Sequence, residues 1–315
     1  MSKKEEKEYE EYESLKNSKF KQQKLPGWRP VPSMIRTVII YFGFGIVFVG
    51  IGVLILLFSN DIIEEKEEIC KDEQNSKNCE IKFNIEKDMK EKIMVYYEID
   101  GFYQNHRRYM KSRSDKQLKG EKINEKEVEV CYPAITNKDI GKTKDKTITD
   151  TTPLNESAIA IPCGLMARSY FNDNFKKWEL NGEEIEVNQE NISRKSDRKI
   201  FKNVDLKNQW TDIENEHFIV WMRPSPLPNF RKLWGRIEKP IKANSILKVE
   251  VENNYNVTKL FSTPDAKKYL IISTVNSFGG KNTILSIGCL ILGGICIILA
   301  VIFFIGFKMR AKKEK

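Results

Sequence analysis

The sequence predicts a membrane protein in which two transmembrane α-helices flank a β-rich, disulfide-bonded ectodomain. That ectodomain is expected to be an antiparallel, sandwich-like sheet structure with short helices. Three observations predict it. Two apolar blocks, Val38–Phe58 and Thr283–Phe307, contain no Asp, Glu, Lys, Arg or His. Four cysteines and three N-x-S/T sequons lie between them. The same intervening segment alternates apolar and polar residues at strand spacing.

Each block is long enough to cross a bilayer: at 1.5 Å per residue they span roughly 32 and 37 Å, against a hydrocarbon core of about 30 Å. The mean hydropathy of −0.48 averages these blocks with strongly polar surroundings. A soluble globular protein and a many-span transporter are both excluded. The expected organisation is a tail over 1–36, a first span over 37–58, an ectodomain over 59–282, a second span over 283–307 and a tail over 308–315.

Charge sets the expected orientation. The formal net charge of +9 divides into +3 over 1–36, +4 over 308–315 and +2 over the long middle. Lys21, Lys24, Arg29 and Arg36 precede the first span and Asp61, Glu64 and Glu65 follow it. Lys308, Arg310, Lys312, Lys313 and Lys315 follow the second. The positive-inside rule therefore places both termini in the cytosol and the middle on the lumenal or extracellular side. The first span is read as an uncleaved signal anchor, since no small-x-small cleavage pattern follows it. The basic excess is thus a topology signal, and nucleic-acid binding is not expected, because no basic stripe with interleaved aromatics appears.

Cys70, Cys79, Cys131 and Cys163 lie in the middle segment, where an oxidising compartment permits two disulfides in any of three connectivities. Cys70 with Cys79 would close a short polar loop and leave Cys131 with Cys163. Zinc is a poor reading, with no C-x-x-C and only His106 and His217 as histidines. The sequons at Asn155, Asn191 and Asn256 all fall on the expected lumenal side. Cys289 and Cys296 lie in the second span and read as small apolar filler.

The N-terminal 24 residues, rich in Lys and Glu, read as a disordered tail. Leu25–Pro32 is too proline-rich for a helix and carries Trp28, either an interfacial anchor or part of a cytosolic docking peptide. Gly43 and Gly50 share one face of the first span, and Gly45 and Gly52 a nearly opposite one, so either could admit a close helix neighbour. In the middle segment, Ile246–Glu252 alternates as a half-buried strand. Lys92–Ile99, Glu127–Cys131, His217–Met222 and Tyr269–Val275 also read as strands from their β-branched and aromatic content. Short helices are expected at Tyr103–Lys111 and Gly164–Lys177.

Catalytic machinery is not recognisable. Asp145-Lys146-Thr147 lacks the following glycine of a phosphorylated-aspartate motif, since Ile148 stands there. Gly141-Lys142-Thr143 lacks the earlier glycine of a phosphate-cradling loop, since Thr136 stands there. Neither Gly-x-Ser-x-Gly nor His-Glu-x-x-His occurs, and the spans carry no ionisable group for an ion path. The reading is of a chain that is not an enzyme and that binds no cofactor or metal.

Several runs resemble one family. Phe102-Tyr103-Gln104-Asn105-His106-Arg107-Arg108-Tyr109, followed by Lys111-Ser112-Arg113, is similar to the central motif of the cell-cycle-control-protein-50/ligand-effect-modulator family, β-subunits of type-IV P-type ATPase phospholipid flippases. Leu25-Pro26-x-Trp28-x-Pro30, Pro162-Cys163-Gly164 with Phe171-Asn172-Asp173, and Val220-Trp221-Met222-Arg223 match in order. Leu227-Pro228-x-Phe230-Arg231-Lys232-Leu233-x-Gly235-Arg236-Ile237 and Gly279-Gly280-Lys281-Asn282 complete the set.

The resemblance implies a two-helix anchor and a glycosylated, disulfide-bonded ectodomain. It implies a heterodimer with the ATPase α-subunit in the endoplasmic reticulum, Golgi or endosomal membranes or the plasma membrane. There the chain would support folding, endoplasmic-reticulum exit and lipid translocation, with membrane lipids as further contacts. A sequon common in the family is missing, since Asn172-Asp173 is followed by Asn174, and only Cys70 and Cys79 are available in the first cysteine region. The candidate partner-contact residues are Trp28, Arg107, Arg108, Tyr109, Arg113, Trp221, Arg223, Phe230 and Arg231. For the arginines the expected roles are bracing the ectodomain and meeting acidic lumenal loops; for Trp221, Phe230 and Trp234, core packing competes with interface anchoring. The rival readings are a subunit of a two-span ligand-gated channel and a lipid-binding scavenger-type receptor.

Overall fold

The computed structural model describes residues 9, 12–24, 27, 33–71, 76–90, 92–141, 148, 153–257, 266–276 and 279–313. Trp28, the 142–147 stretch, Ile148's neighbours at 149–152 and Thr258 of the third sequon lie outside the described residues. The chain divides into two compact units: one of Met1–Leu54 with Ile284–Lys315, the other of Ile55–Thr283.

Two long helices dominate the first unit, α1 (Met34–Asn60) and α8 (Thr283–Lys313). Their apolar side chains point outward around nearly the whole circumference, as lipid requires of a spanning helix. The two run antiparallel, because Gly45 lies against Gly293 and Ile297 while Gly52 lies against Leu290. A Cβ on Gly52 would come within 2.9 Å of Leu290, so the absence of a side chain is what lets the backbones close. The Ser286 hydroxyl donates to the Gly52 carbonyl at 2.9 Å. Gly43 and Gly50 meet nothing within 4 Å, so only one of the two glycine faces is used within this pair.

The second unit is a sandwich of two four-stranded antiparallel sheets. Its strands are β1 (Glu64–Glu68), β2 (Asn78–Ile85), β3 (Ile93–Asp100), β4 (Asn174–Leu180), β5 (Glu183–Glu184), β6 (Phe230–Ile237), β7 (Ser245–Glu252) and β8 (Lys267–Thr274). One sheet has the order β1-β8-β3-β6 and the other β2-β7-β4-β5. In β7, Ser245, Leu247, Val249 and Val251 point inward while Ile246, Lys248, Glu250 and Glu252 point out, the period of two that a half-buried strand imposes. Val95, Ile99, Leu270 and Ile272 of one sheet share a single core with Phe83, Phe175, Trp178 and Val249 of the other.

Among the described residues six short helices decorate the sandwich: α2 (Arg107–Lys111), α3 (Asp115–Leu118), α4 (Asn137–Ile140), α5 (Leu165–Arg168), α6 (Lys195–Ile200) and α7 (Glu216–Trp221). A second, smaller core of Val128, Cys131, Ala134, Ile140, Ala160 and Cys163 lies under the connecting segments. Disulfides join Cys70 to Cys79 and Cys131 to Cys163, each with Cα atoms 5.6 Å apart. Closing the longer loop is worth about 4 kcal/mol in the chain-entropy account and the shorter about 3.

Several expected elements are corrected. The strand expected over His217–Met222 is instead the helix Glu216–Trp221 with Met222 as its C-cap, because the Asn215 side chain caps it by accepting the His217 amide at 2.8 Å; a short apolar run does not by itself separate strand from helix. Glu127–Cys131 is a 3₁₀ turn over Val128–Cys131, started by the Asn124 carboxamide, which accepts the amides of Lys126 and Glu127. The expected helix over Gly164–Lys177 is only Leu165–Arg168, and its last part is strand β4. The helix expected at Tyr103–Lys111 is confined to Arg107–Lys111.

Candidate functional site

The Phe102–Arg113 run folds as an extended entry followed by α2, stitched to the proline-rich 224–228 loop. The Phe102 amide donates to the Pro228 carbonyl at 3.1 Å, Asn105 Nδ2 to the Pro226 carbonyl at 2.8 Å, and the Ser225 amide to Gln104 Oε1 at 3.0 Å. Two runs more than a hundred residues apart thereby form one surface. Beneath it the rings of Phe102, Tyr109, Trp221 and Phe230 pack together: Phe102 lies 5.2 Å from Tyr109, 6.2 Å from Trp221 and 6.1 Å from Phe230.

Polar atoms of this aromatic cluster find partners. The Tyr109 hydroxyl meets Ser169 Oγ at 2.7 Å, and burial pushes its phenol well above the ordinary range. Trp221 Nε1 donates to the Met166 carbonyl at 2.9 Å. Tyr109, Trp221 and Phe230 are all buried, so the structure places these three candidates in the core, where they shape the surface without forming it.

Ser112 ties α2 to the second disulfide. Its hydroxyl donates to the Cys131 carbonyl and accepts the Leu165 amide, both at 2.9 Å. Gly164, at φ +103°, lies so close to the Ser112 carbonyl that a side chain there would strike it. In sequence Ser112 is one residue of the central motif with no role of its own; only the folded chain shows both bonds.

Three of the candidate arginines are engaged within the chain. Arg231 is held bidentately by Glu64 at 2.8 and 2.9 Å and by Glu98 at 2.6 Å, and Lys66 pairs with the same buried Glu98. Arg223 meets Asp197 at 3.2 Å, and Arg113 meets Asp115 at 3.0 Å. Next to Arg231, Lys232 donates its amine to the carbonyls of Val220 and Arg223 at the end of α7. Burial, with Arg223 nearby, pushes that amine down to about 8.

Arg107 and Arg108 differ. Together with Lys111 on α2 and His106 at its N-cap they are exposed, and none of the four is in an ion pair among the described residues. Tyr103 is 60 % exposed, Met110 42 % and Leu227 62 %. The result is a cationic ledge edged by large apolar side chains, on a base that is buried and hydrogen-bonded. Charge-depleted apolar area beside arginine is the composition of a recognition surface.

Of the sequons, Asn155 is exposed, and its Oδ1 accepts the Ser157 amide at 3.0 Å. Asn191 is exposed at φ +57° and accepts from Arg198 at 2.6 Å, while the Ser193 hydroxyl donates to Glu216 at 2.7 Å. Asn256 is exposed. Among the described residues no group of three or more His, Cys, Asp and Glu is placed to hold a metal.

These features define an integral membrane protein whose two spanning helices flank, in sequence, a disulfide-linked β-sandwich. The family profile described as LEM3 (ligand-effect modulator 3) family / CDC50 family matches residues 3–313, and the chain belongs to that family. It is 34% identical to putative ALA-interacting subunit 4 of Arabidopsis thaliana, over 94% of this chain and 90% of the relative. To ALA-interacting subunit 3 of the same plant it is 33% identical, over 95% and 87%. To cell cycle control protein 50A of Bos taurus it is 28% identical, over 92% and 88%.

Proposed function

We propose that the chain is the non-catalytic β-subunit of a phospholipid-flipping type-IV P-type ATPase, required for the folding, endoplasmic-reticulum exit and lipid transport of its α-subunit. The observation that carries this reading is membership of the family along nearly the whole chain, with relatives named as interacting subunits. Both termini face the cytosol and residues 59–282 face the lumen or cell exterior in this reading, in endoplasmic-reticulum, Golgi, endosomal or plasma membranes. Glycans sit on Asn155, Asn191 and Asn256. The ledge of Arg107, Arg108 and Lys111, edged by Tyr103, Met110 and Leu227, meets acidic lumenal loops of the α-subunit. A subunit that binds some pump states better than others shifts their populations, so this contact supports transport without chemistry of its own.

The test is co-purification of the α-subunit with full-length R107E/R108E. Both side chains are exposed and in no ion pair among the described residues, so the thermal midpoint stays within about 1 °C. Recovery of the α-subunit falls at least about tenfold, since unlike-charge contacts become like-charge ones. Unchanged recovery with an unchanged midpoint sinks the ledge as the contact, and a collapsed midpoint makes these arginines structural.

A further inference from the structure

The ends of the first unit carry a charge pattern that the partner reading does not use. Every acid of the N-terminal tail lies at or before Glu13, and no Asp or Glu follows until Asp61. Lys16, Lys19, Lys21 and Lys24 come next, then α1 with Arg36 in its first turn. Because α1 and α8 are antiparallel, Lys308, Arg310 and Lys312 on the last turns of α8 lie at the same end of the helix pair.

The disordered tail expected over the first 24 residues is corrected for 12–24, which are locally ordered. A helix over 12–17 runs on into hydrogen-bonded turns, with Ser18 N to Ser14 O at 3.2 Å, Gln22 N to Ser18 O at 2.9 Å and Lys24 N to Lys19 O at 2.8 Å. Gln22 Nε2 also donates to the Leu15 carbonyl at 3.2 Å. All four lysines are exposed and none is in an ion pair among the described residues. Beside them Tyr12, Leu15 and Phe20 are exposed with no core to enter, Phe20 most of all at 75 %.

We infer that residues 12–24, with Arg36 and the basic end of α8, bind the phosphate-bearing headgroups of anionic phospholipids. The lysines supply point charges to the headgroups, and Phe20 and Leu15 enter the interface between headgroup and acyl chain. Lipid is favoured over a soluble protein partner by tethering. Lys24 is ten residues before Met34, so the segment cannot move more than roughly 35 Å from the start of α1. At that range the leaflet is always present at high effective concentration. The order of charge agrees: cations adjoin the apolar helix, while Glu5, Glu6, Glu8, Glu10, Glu11 and Glu13 are placed farthest from it. In the cell this rests on the proposed cytosolic termini, because anionic lipid is concentrated in the cytoplasmic leaflet.

The test uses the full chain in nanodiscs, which expose both leaflets and so do not depend on the orientation in cells. Amide exchange over residues 12–24 is compared in discs of phosphatidylcholine alone and discs containing about one-third phosphatidylserine, at about 0.05 M and about 0.5 M salt. Exchange slows at least about tenfold with phosphatidylserine at low salt and recovers at high salt. It does not slow in full-length K16Q/K19Q/K21Q/K24Q, in which exchange along α1 is unchanged. Equal exchange in the two compositions overturns the inference, as does slowing that persists in the variant. Slowing in phosphatidylcholine discs on adding inorganic phosphate, or only on adding a poly-glutamate peptide, also overturns it, in favour of a soluble anion or an acidic protein. Failure of the orientation is read separately, from protease access to the tails in intact microsomes.

Discussion

Replacing Asp173 by Asn tests how the sandwich holds the ledge. The Asp173 side chain is fully buried, and the Lys268 side chain paired with it is 9 % exposed. Asp173 Oδ1 accepts the amides of Asn254 at 2.7 Å and Tyr255 at 2.6 Å. The Lys268 amine donates to Asp173 Oδ2, to Asn253 Oδ1 at 2.6 Å and to the Tyr255 carbonyl at 2.9 Å. Burial pushes the carboxyl up and the ammonium down, each against the pull of its partner. Taking both ions out of water is costly, and breaking such a buried pair from one side is worse than removing it whole.

D173N keeps an oxygen for the two amides and leaves the ammonium buried without a counter-charge. The expected loss is about 3 kcal/mol, a fall in thermal midpoint of about 6–12 °C for a domain of this size. D173N/K268M removes both charges and returns to within about 1 kcal/mol of the parent, so the two substitutions couple by about 2 kcal/mol or more. The assay is thermal unfolding of the full chain in detergent, followed by tryptophan fluorescence; Trp178, Trp210, Trp221 and Trp234 all belong to the β-sandwich unit. The same bonds continue to the ledge, because the Tyr255 hydroxyl donates to the Ser169 carbonyl and Ser169 Oγ meets Tyr109 on α2. A D173N midpoint within about 1 °C of the parent refutes this account. So does a double variant whose loss is the sum of the single losses.

Two further outcomes follow from single residues. His217 packs 4.2 Å from the Trp234 ring with Nε2 at 2.8 Å from Gln189, and burial pushes it down to about 4 against the opposing pull of Glu216. A depressed histidine favours the fold while it is neutral. Its contribution, up to about 3 kcal/mol, is whole above pH 6.5 and drains as pH falls from there towards 4. Thermal midpoints measured across that window should fall for the parent and stay flatter in H217Q; parallel slopes count against it. G164A should cost about 3 kcal/mol or more, from the positive φ and the collision with the Ser112 carbonyl, and a midpoint within 1–2 °C of the parent would show that the Ser112 loop yields.

How far the fold was legible depended on whether the deciding physics was local. The spans were, since bilayer thickness and charge exclusion act on a single helix and are written in Val38–Phe58 and Thr283–Phe307. Ile93–Asp100 and Lys267–Thr274 lie within two residues of their expected ends because each carries its own apolar run. Glu64–Glu68 carries no such signal: its sequence is Glu-Glu-Lys-Glu-Glu, and it is a strand because β8 supplies the register from Glu64 opposite Ser273 to Glu68 opposite Tyr269. At the candidate site, the sequence shows the segment as a motif, but the roles of its residues depend on what the fold brings to them. Arg231 looks like Arg107 in sequence, yet Glu64 and Glu98 arrive from two other strands to hold it, while no described carboxylate reaches Arg107 or Arg108. A cation's partner is a property of tertiary register, and β1 shows how little of that register its own residues announce. The arginines left without carboxylates are for that reason the ones to which an interaction role is assigned.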